Sequence, residues 1–382
     1  MPARKGPCQR RQSRMSARAE APAGAQRKLL VMELAGLGDN VHLLPALWLV
    51  RRQWPDAELH VMIYAHIASL FKLTPWVDRV WPYPNAPKAD FGENLRWARA
   101  LRRERFDCLI NTTGSDRSSL LSWATRARLR IGRRPADGGP PGWRWLFTRV
   151  VESPYYLEPM YLQKWRCLRQ AGFGAGAAAG GDAPEFHVTI DPALRRDAGI
   201  GADDEGRYIH ISPFTTADAR ELPREQIVAL IAGLRAAQPG LRIVLSCAGN
   251  ARERAKLDDL LPRLREPPWK VYAGTLDVTG LAALIETCAL NLSGDTGSLH
   301  LAMMTRAPAA AWFRAHKGQN EWIPLAPQYR VLIAEGGAPD SLHGIATDAL
   351  LAAAAALLHG YPPRNSPSRC GAHAAGASSD KL

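Results

Sequence analysis

The 382-residue chain predicts an α/β protein made of two successive parallel-sheet halves. Three observations carry that prediction. Short apolar runs alternate with helix-like segments along most of the chain, which is how βαβ units read in sequence. A low-complexity stretch, GFGAGAAAGG (172–181), breaks the alternation near mid-chain, after which it resumes. The length also exceeds what one ordinary core organises, so two domains are the default.

The elements follow in order. KLLVMEL (28–34) is a short apolar run suited to a buried strand. The turn AGLGD follows it, and Val41–Gln53 then has apolar residues at helical spacing. ELHVMIY (58–64) reads as a strand, Ala65–Leu73 as a short helix and RVWPYP (79–84) as a third strand. Glu93–Glu104 is a charged amphipathic helix, and FDCLINTTG (106–114) is a strand ending in small polar residues. Beyond the glycine-rich stretch, YIHISPF (208–214), LRIVLSCAG (241–249), VYAGT (271–275), Ala289–Ser293 and APAAAWF (307–313) read as strands. Helices are expected over Arg224–Gln238, with Pro223 at its start, and over Ala251–Leu261, Leu281–Cys288, Gly297–Met304 and Ser341–Leu358. The last could pack on either half. The expected division is a basic leader (1–27), an N-terminal domain (28–171), a linker (172–184), a C-terminal domain (185–360) and a tail (361–382).

Charge is uneven. Of the net +13, residues 1–28 hold eight Lys/Arg against Glu20, the tail holds +2, and the body keeps only +4. The leader has the composition of a solvated, disordered segment, and Met15 is an alternative start. It also suits peripheral contact with an anionic membrane, where each basic residue contributes about 1 kcal/mol. It lacks the apolar region of a secretory signal. No run of about 18 apolar residues predicts a membrane span. The body has no basic stripe or RNA-binding signature, so no nucleic-acid partner is expected. The six cysteines are scattered, with no C-x-x-C pair and no His at ligand spacing. This predicts a reducing compartment and no metal site.

Two motifs carry the chemistry. In GLGDNVHLLPAL (36–47) a strand enters a glycine turn, and Asp39 and His42 open the helix. Such turns lie beyond the carboxyl ends of parallel strands, where ligands bind. Gly36 and Gly38 permit close approach, and Asp39 gains from the helix dipole. A capped tight connection explains the same residues. The G-x-G-x-x-G dinucleotide fingerprint is absent. In SGDTGSLHLA (293–302), Asp295 and Thr296 can cap a helix whose free N–H groups suit a phosphate. Gly297 leaves room for a ligand, and His300 lies one turn inside. Ordinary capping again explains these residues equally well. One motif in each half, both at strand-to-helix turns, suits group transfer from a phosphorylated donor in an interdomain cleft.

The stretch KLLVMELAGLGDNVHLLPALWLVRRQWPDAELHVM resembles family 9 glycosyltransferases, the heptosyltransferases of lipopolysaccharide core synthesis, and LNLSGDTGSLHLAMMTRAPAAAWF resembles the same family's nucleotide-sugar motif. The likeness runs from about Lys28 to Leu358. It implies a GT-B fold, with two Rossmann-like domains whose parallel sheets face a cleft, and an inverting, metal-independent reaction. It makes Asp39 the general base, with Gly38, Asn40 and His42 on the acceptor-side loop. Asp295, Thr296, Gly297 and His300 line the donor's diphosphate and nucleotide. The family's phosphate-binding lysine is replaced here by Arg220 in SPFTTADARELPREQ, with Thr215 and Thr216 as hydroxyl donors on that loop. Arginine binds phosphate through a planar fork. Glu253 is the nearest carboxylate to the family's ribose contact but is displaced in sequence, which leaves the ADP-linked donor less firmly implied than the class. Lys317, in HKGQNEW, is expected near the donor sugar, or on a polar surface loop. PGWRWLFTR (141–149), with Arg133 and Arg134 upstream, is expected to meet a phosphorylated headgroup or oligosaccharide, or to be a partly buried loop. The implied partners are a nucleotide sugar, ADP-linked in this family, as co-substrate rather than cofactor, and a lipopolysaccharide-core or lipid-linked acceptor. The implied location is cytoplasmic, at the inner face of the bacterial inner membrane. The alternative is a non-catalytic scaffold of the same fold in envelope glycan assembly.

Overall fold

A computed structural model describes residues 27–84, 91–153, 155–173, 187–334, 342 and 344–361. The expected leader up to residue 26, most of the glycine-rich linker and the tail beyond residue 361 lie outside the described residues.

The first half holds strands β1 (Lys28–Met32), β2 (Glu58–Tyr64), β3 (Arg79–Tyr83), β4 (Cys108–Asn111), β5 (Leu129–Arg133) and β6 (Arg149–Val151). They form one parallel sheet in the order β3-β2-β1-β4-β5-β6. The helices of this half are α1 (Leu37–Val41), α2 (Leu44–Gln53), α3 (Phe91–Glu104), α4 (Asp116–Ala124) and α5 (Met160–Gln170). After Lys28, strand β1 is apolar because helices cover both its faces. Leu29 and Val31 join the layer holding Leu47 of α2 and Trp165 of α5. Leu30 and Met32 point the other way, into the layer holding Leu101 of α3 and Leu121 of α4.

The second half repeats the plan. After α6 (Pro192–Asp197) come β7 (Tyr208–Ser212), α7 (Arg224–Ala237), β8 (Arg242–Cys247), α8 (Ala251–Leu260) and β9 (Lys270–Ala273). Then follow α9 (Val278–Thr287), β10 (Leu290–Gly294), α10 (Gly297–Thr305), β11 (Ala309–Arg314), β12 (Tyr329–Ala334) and α11 (Thr347–Gly360). This sheet is also parallel, in the order β12-β11-β10-β7-β8-β9. Helix α11 belongs to this half: Leu351 packs so closely on Gly233 of α7 that a Cβ there would lie 2.6 Å from its Cδ1.

Several expectations are corrected. The single helix expected over Val41–Gln53 is two, because α1 stops at Val41 and α2 restarts with Pro45 in its first turn. A proline there has no N–H to continue the preceding helix. Ala65–Leu73 winds as a 3₁₀ helix. Sequence periodicity does not mark β5, β6, β12, α4 or α5. Strands β5 and β6 are short and carry arginines, and α5 buries Gln163 and Lys164 alongside Trp165 and Leu168. Its inner face is therefore not apolar.

In both sheets the strand order reverses beside the first strand, between β1 and β4 and between β7 and β10. The crevice beyond the carboxyl ends at such a point is where parallel sheets bind ligands. The turns after β1 and β10 come together there, as α1 packs on α10.

Candidate active site

A cleft of about 680 Å³ runs between the two sheets, lined from one side by Gly36, Leu37, Gly38, Asp39 and His66. The facing wall includes Thr215, Thr216, Arg220, Glu253, Asp295, Thr296, Gly297 and His300. Its size suits a small-molecule substrate.

On the first wall, Asp39 sits in the first turn of α1. Its side chain keeps 27% exposure, toward the cleft. Burial is the largest influence on its carboxyl and pushes its pKa up to about 6; Lys164 pulls the other way, and Glu33 adds to the rise. Beneath it lies a buried ion pair, Lys164 Nζ to Glu33 Oε2 at 3.0 Å, with side chains 1% and 2% exposed. Thr112 and Thr113 donate their hydroxyls to Glu33, the latter at 3.2 Å. Lys164 donates to the Asp39 carbonyl at 2.5 Å and stands 3.9 Å from Asp39 Oδ1.

On the second wall, α10 begins at Gly297 with Thr296 as its N-cap, and no side chain caps it. Its first N–H groups, with the helix dipole, therefore present a positive end to the cleft. A buried polar chain fixes this end: Ser298 Oγ donates to Asn291 Oδ1 at 2.9 Å, Asn291 Oδ1 pairs with His210 Nδ1 at 2.7 Å, and His210 Nε2 pairs with Ser246 Oγ at 2.7 Å. Arg220 reaches in from the loop after β7, 3.6 Å from Asp295 Oδ2.

The neighbouring candidates are less free. The Thr215 hydroxyl donates to the Ala217 carbonyl and so closes its own loop, whereas Thr216 is exposed at the cleft. Glu253 lines the cleft, but it accepts from the Ala248 N–H at 2.7 Å and from Asn250 Nδ2 at 3.2 Å.

The seam between the walls is tight. His42 Nε2 meets His300 Nδ1 at 3.1 Å, and Trp322 packs against both rings. Burial holds both imidazoles neutral: His300 falls to about 4 and His42 well below the usual histidine range. A Cβ on Gly38 would lie 2.5 Å from the His300 ring, and one on Gly297 would lie 2.6 Å from Leu37.

Some sequence candidates lie elsewhere. Asn40 is fully buried and donates to the Gly36 and Ala35 carbonyls, so it shapes the turn. His42 faces His300 and a second, more apolar cavity. Lys317 is exposed over the Tyr156 ring; its loop gives the cleft His316 and Trp322 instead. In the PGWRWLFTR segment Trp143 and Phe147 are buried, and Trp145 stays 80% exposed. Arg133 is buried against Tyr155 and Arg134 pairs with Glu152. Sequence reading does not single out Glu33, Lys164, His66, His316 or Trp322. Glu33 alone left a signal, as an acid directly after the apolar run of β1.

The model of glycosyltransferase family 9 (heptosyltransferase) matches residues 94–343. The chain is 24% identical over 296 residues to the lipopolysaccharide core heptosyltransferase OpsX of Haemophilus influenzae, covering 76% of this chain and 80% of that protein. It is 22% identical over 285 residues to lipopolysaccharide heptosyltransferase 3 of Escherichia coli, covering 73% and 81%. Among solved structures, a family 9 glycosyltransferase from Veillonella parvula has a TM-score of 0.74 at 17% identity, over 87% of this chain and 98% of that one. E. coli ADP-heptose lipopolysaccharide heptosyltransferase II has a TM-score of 0.70 at 21% identity, over 87% and 99%. These likenesses give the GT-B fold, two Rossmann-like domains facing a cleft. With the family match spanning more than half its length, the chain belongs to glycosyltransferase family 9, the heptosyltransferases.

Proposed function

We propose that this chain is an inverting, metal-independent glycosyltransferase that moves heptose from an ADP-linked donor to a lipopolysaccharide-core or other lipid-linked acceptor. The observation that carries this reading is one cleft with a carboxylate of raised pKa on one wall and an uncapped helix end beside an arginine on the other. The names of the curated relatives, lipopolysaccharide heptosyltransferases, support the sugar and the acceptor class.

In this reading Asp39 takes the proton of the acceptor hydroxyl. That oxygen bonds to the anomeric carbon from the face opposite the diphosphate, and the carbon–oxygen bond to the diphosphate breaks. A carboxyl of pKa about 6 is mostly ionised at neutral pH, yet still basic enough to hold the proton. The departing diphosphate gathers negative charge, which the α10 N–H groups and Arg220 stabilise in place of a metal ion. Thr216 is a hydroxyl donor to the same phosphates, and Glu253 lies at the nucleotide end. We further propose that the enzyme works at the inner face of the bacterial inner membrane, where the basic leader meets anionic lipid. Among the described residues no helix is long and apolar enough to cross a membrane.

The test is transfer itself. Protein incubated with ADP-heptose and a truncated core acceptor should release ADP, and proton NMR of the product should show an anomeric configuration opposite to the donor's. The rate should be unchanged in EDTA. A retained configuration, or loss of turnover on chelation, would contradict the reading, and binding of the nucleotide without transfer would favour the scaffold.

A further inference from the structure

We infer that Lys164 and Glu33 are a positioning pair for Asp39: the buried ammonium, held by the Glu33 carboxylate, fixes the Asp39 turn and sets how tightly Asp39 holds a proton. The inference rests on the reading of Asp39 as the base.

Three charged groups stand in a row, carboxylate, ammonium and carboxylate. The first contact is 3.0 Å and the second 3.9 Å. Glu33 and Lys164 are almost wholly shielded from water, whereas Asp39 opens to the cleft. Burying an ion pair is about neutral for stability at best, so the pair is poorly explained as a fold-stabilising device. Helix α5 already packs through Trp165 and Leu168, which need no ammonium beside them. The Lys164 side chain instead donates to the backbone carbonyl of Asp39, which fastens the residue that carries the base. Glu33 keeps that ammonium aimed, and its own oxygens are held by Thr112 and Thr113 at the end of β4.

The remaining charges around Asp39 do not override this row. On its own helix His42 is neutral, and across the seam so is His300. His66 is lowered by burial as well. On the far wall Asp295 and Arg220 face each other and offset one another. Farther under α5, Arg133 is bound to Gln163, which also donates to Glu321. Lys164 is thus the cation nearest the base, and Glu33 its counterweight. Lys164 favours the ionised carboxylate and Glu33 opposes it, with the lysine the stronger influence.

The two partners therefore predict pH effects of opposite sign. In the rate–pH profile of transfer, the acidic limb reports Asp39 losing its proton. Glu33→Gln leaves the ammonium unopposed and should move that limb to lower pH. The double variant Glu33→Gln/Lys164→Met removes both charges at similar volume, so it avoids an unpaired buried ion. It should move the limb to higher pH, by less than the about 1–3 pH units that an unopposed opposite charge typically accounts for. Activity of the double variant should fall far more at pH 6 than at pH 9. Both proteins are checked for wild-type circular dichroism and cooperative melting. Limbs that stay at the wild-type pH, or that move the same way in both variants, would overturn the inference and leave the pair a packing feature. Asp39→Asn is measured alongside. Wild-type turnover in that variant would remove the base reading itself, whereas its loss combined with unmoved limbs would defeat only the positioning role.

Discussion

At the scale of the residue, Asp39 is a carboxyl kept in a place where its ionised form is disfavoured. Its pKa is raised in the folded chain and ordinary in the unfolded one. Between about pH 4 and pH 6 the native state holds a proton that the unfolded chain has released, so stability falls as pH rises through that window. Above it the destabilisation is fully present. Asp39→Asn removes the charge and should raise stability at pH 8 by on the order of 1–3 kcal/mol, with little change at pH 4. Calorimetric melting at the two pH values checks this, and equal effects at both would contradict the raised pKa. A residue that weakens the fold while serving the reaction is the usual trade at an active site. Its motif alone leaves two readings, a capped tight turn or a ligand-facing acid; the matching motif in the second half and the family resemblance point to the acid, and in the structure Gly36, not Asp39, is the N-cap, with no side-chain capping bond. Lys164 had no such signal. Nothing in MYLQKWRCLRQ distinguishes a buried lysine from a solvated one.

At the scale of the element, the junction of α1 and α10 joins the two walls. Gly38 and Gly297 each let a helix start approach the opposite domain, but their neighbours differ in freedom. The Gly38 neighbour is the His300 ring, pinned by His42 and Trp322. The Gly297 neighbour is the end of Leu37, a side chain that can change rotamer. Gly38→Ala should therefore destabilise by about 1–3 kcal/mol, as overpacking does, and should lower transfer sharply. Gly297→Ala should be milder in stability. Paired denaturation curves decide this, and a harmless Gly38→Ala would show that the walls do not close as described. Both glycine-bearing motifs are readable in the sequence. Their contact across 258 positions, seen in His42 and His300, is not, since no local pattern encodes a distant partner.

At the scale of the whole molecule, each half supplies what the other lacks. The first sheet presents Asp39 on its switch-point turn, and the second presents the uncapped start of α10 on its own. The alternation of apolar strands and amphipathic helices made this plan legible, because buried parallel strands have to be apolar over their whole length. Two edge strands were less legible: β6 is three residues long, and β12 is buried only at its two ends, with partly or fully exposed positions between. We propose that Asp39 acts as base on an acceptor while the donor rests on the opposite wall. Turnover of Asp39→Asn at saturating ADP-heptose, measured with donor affinity by calorimetry, tests it most directly. With Asp39 as base, kcat should fall by about 10²–10⁴-fold, the usual contribution of a general base, with donor affinity unchanged. Wild-type kcat, or loss of donor binding in step with activity, would contradict it.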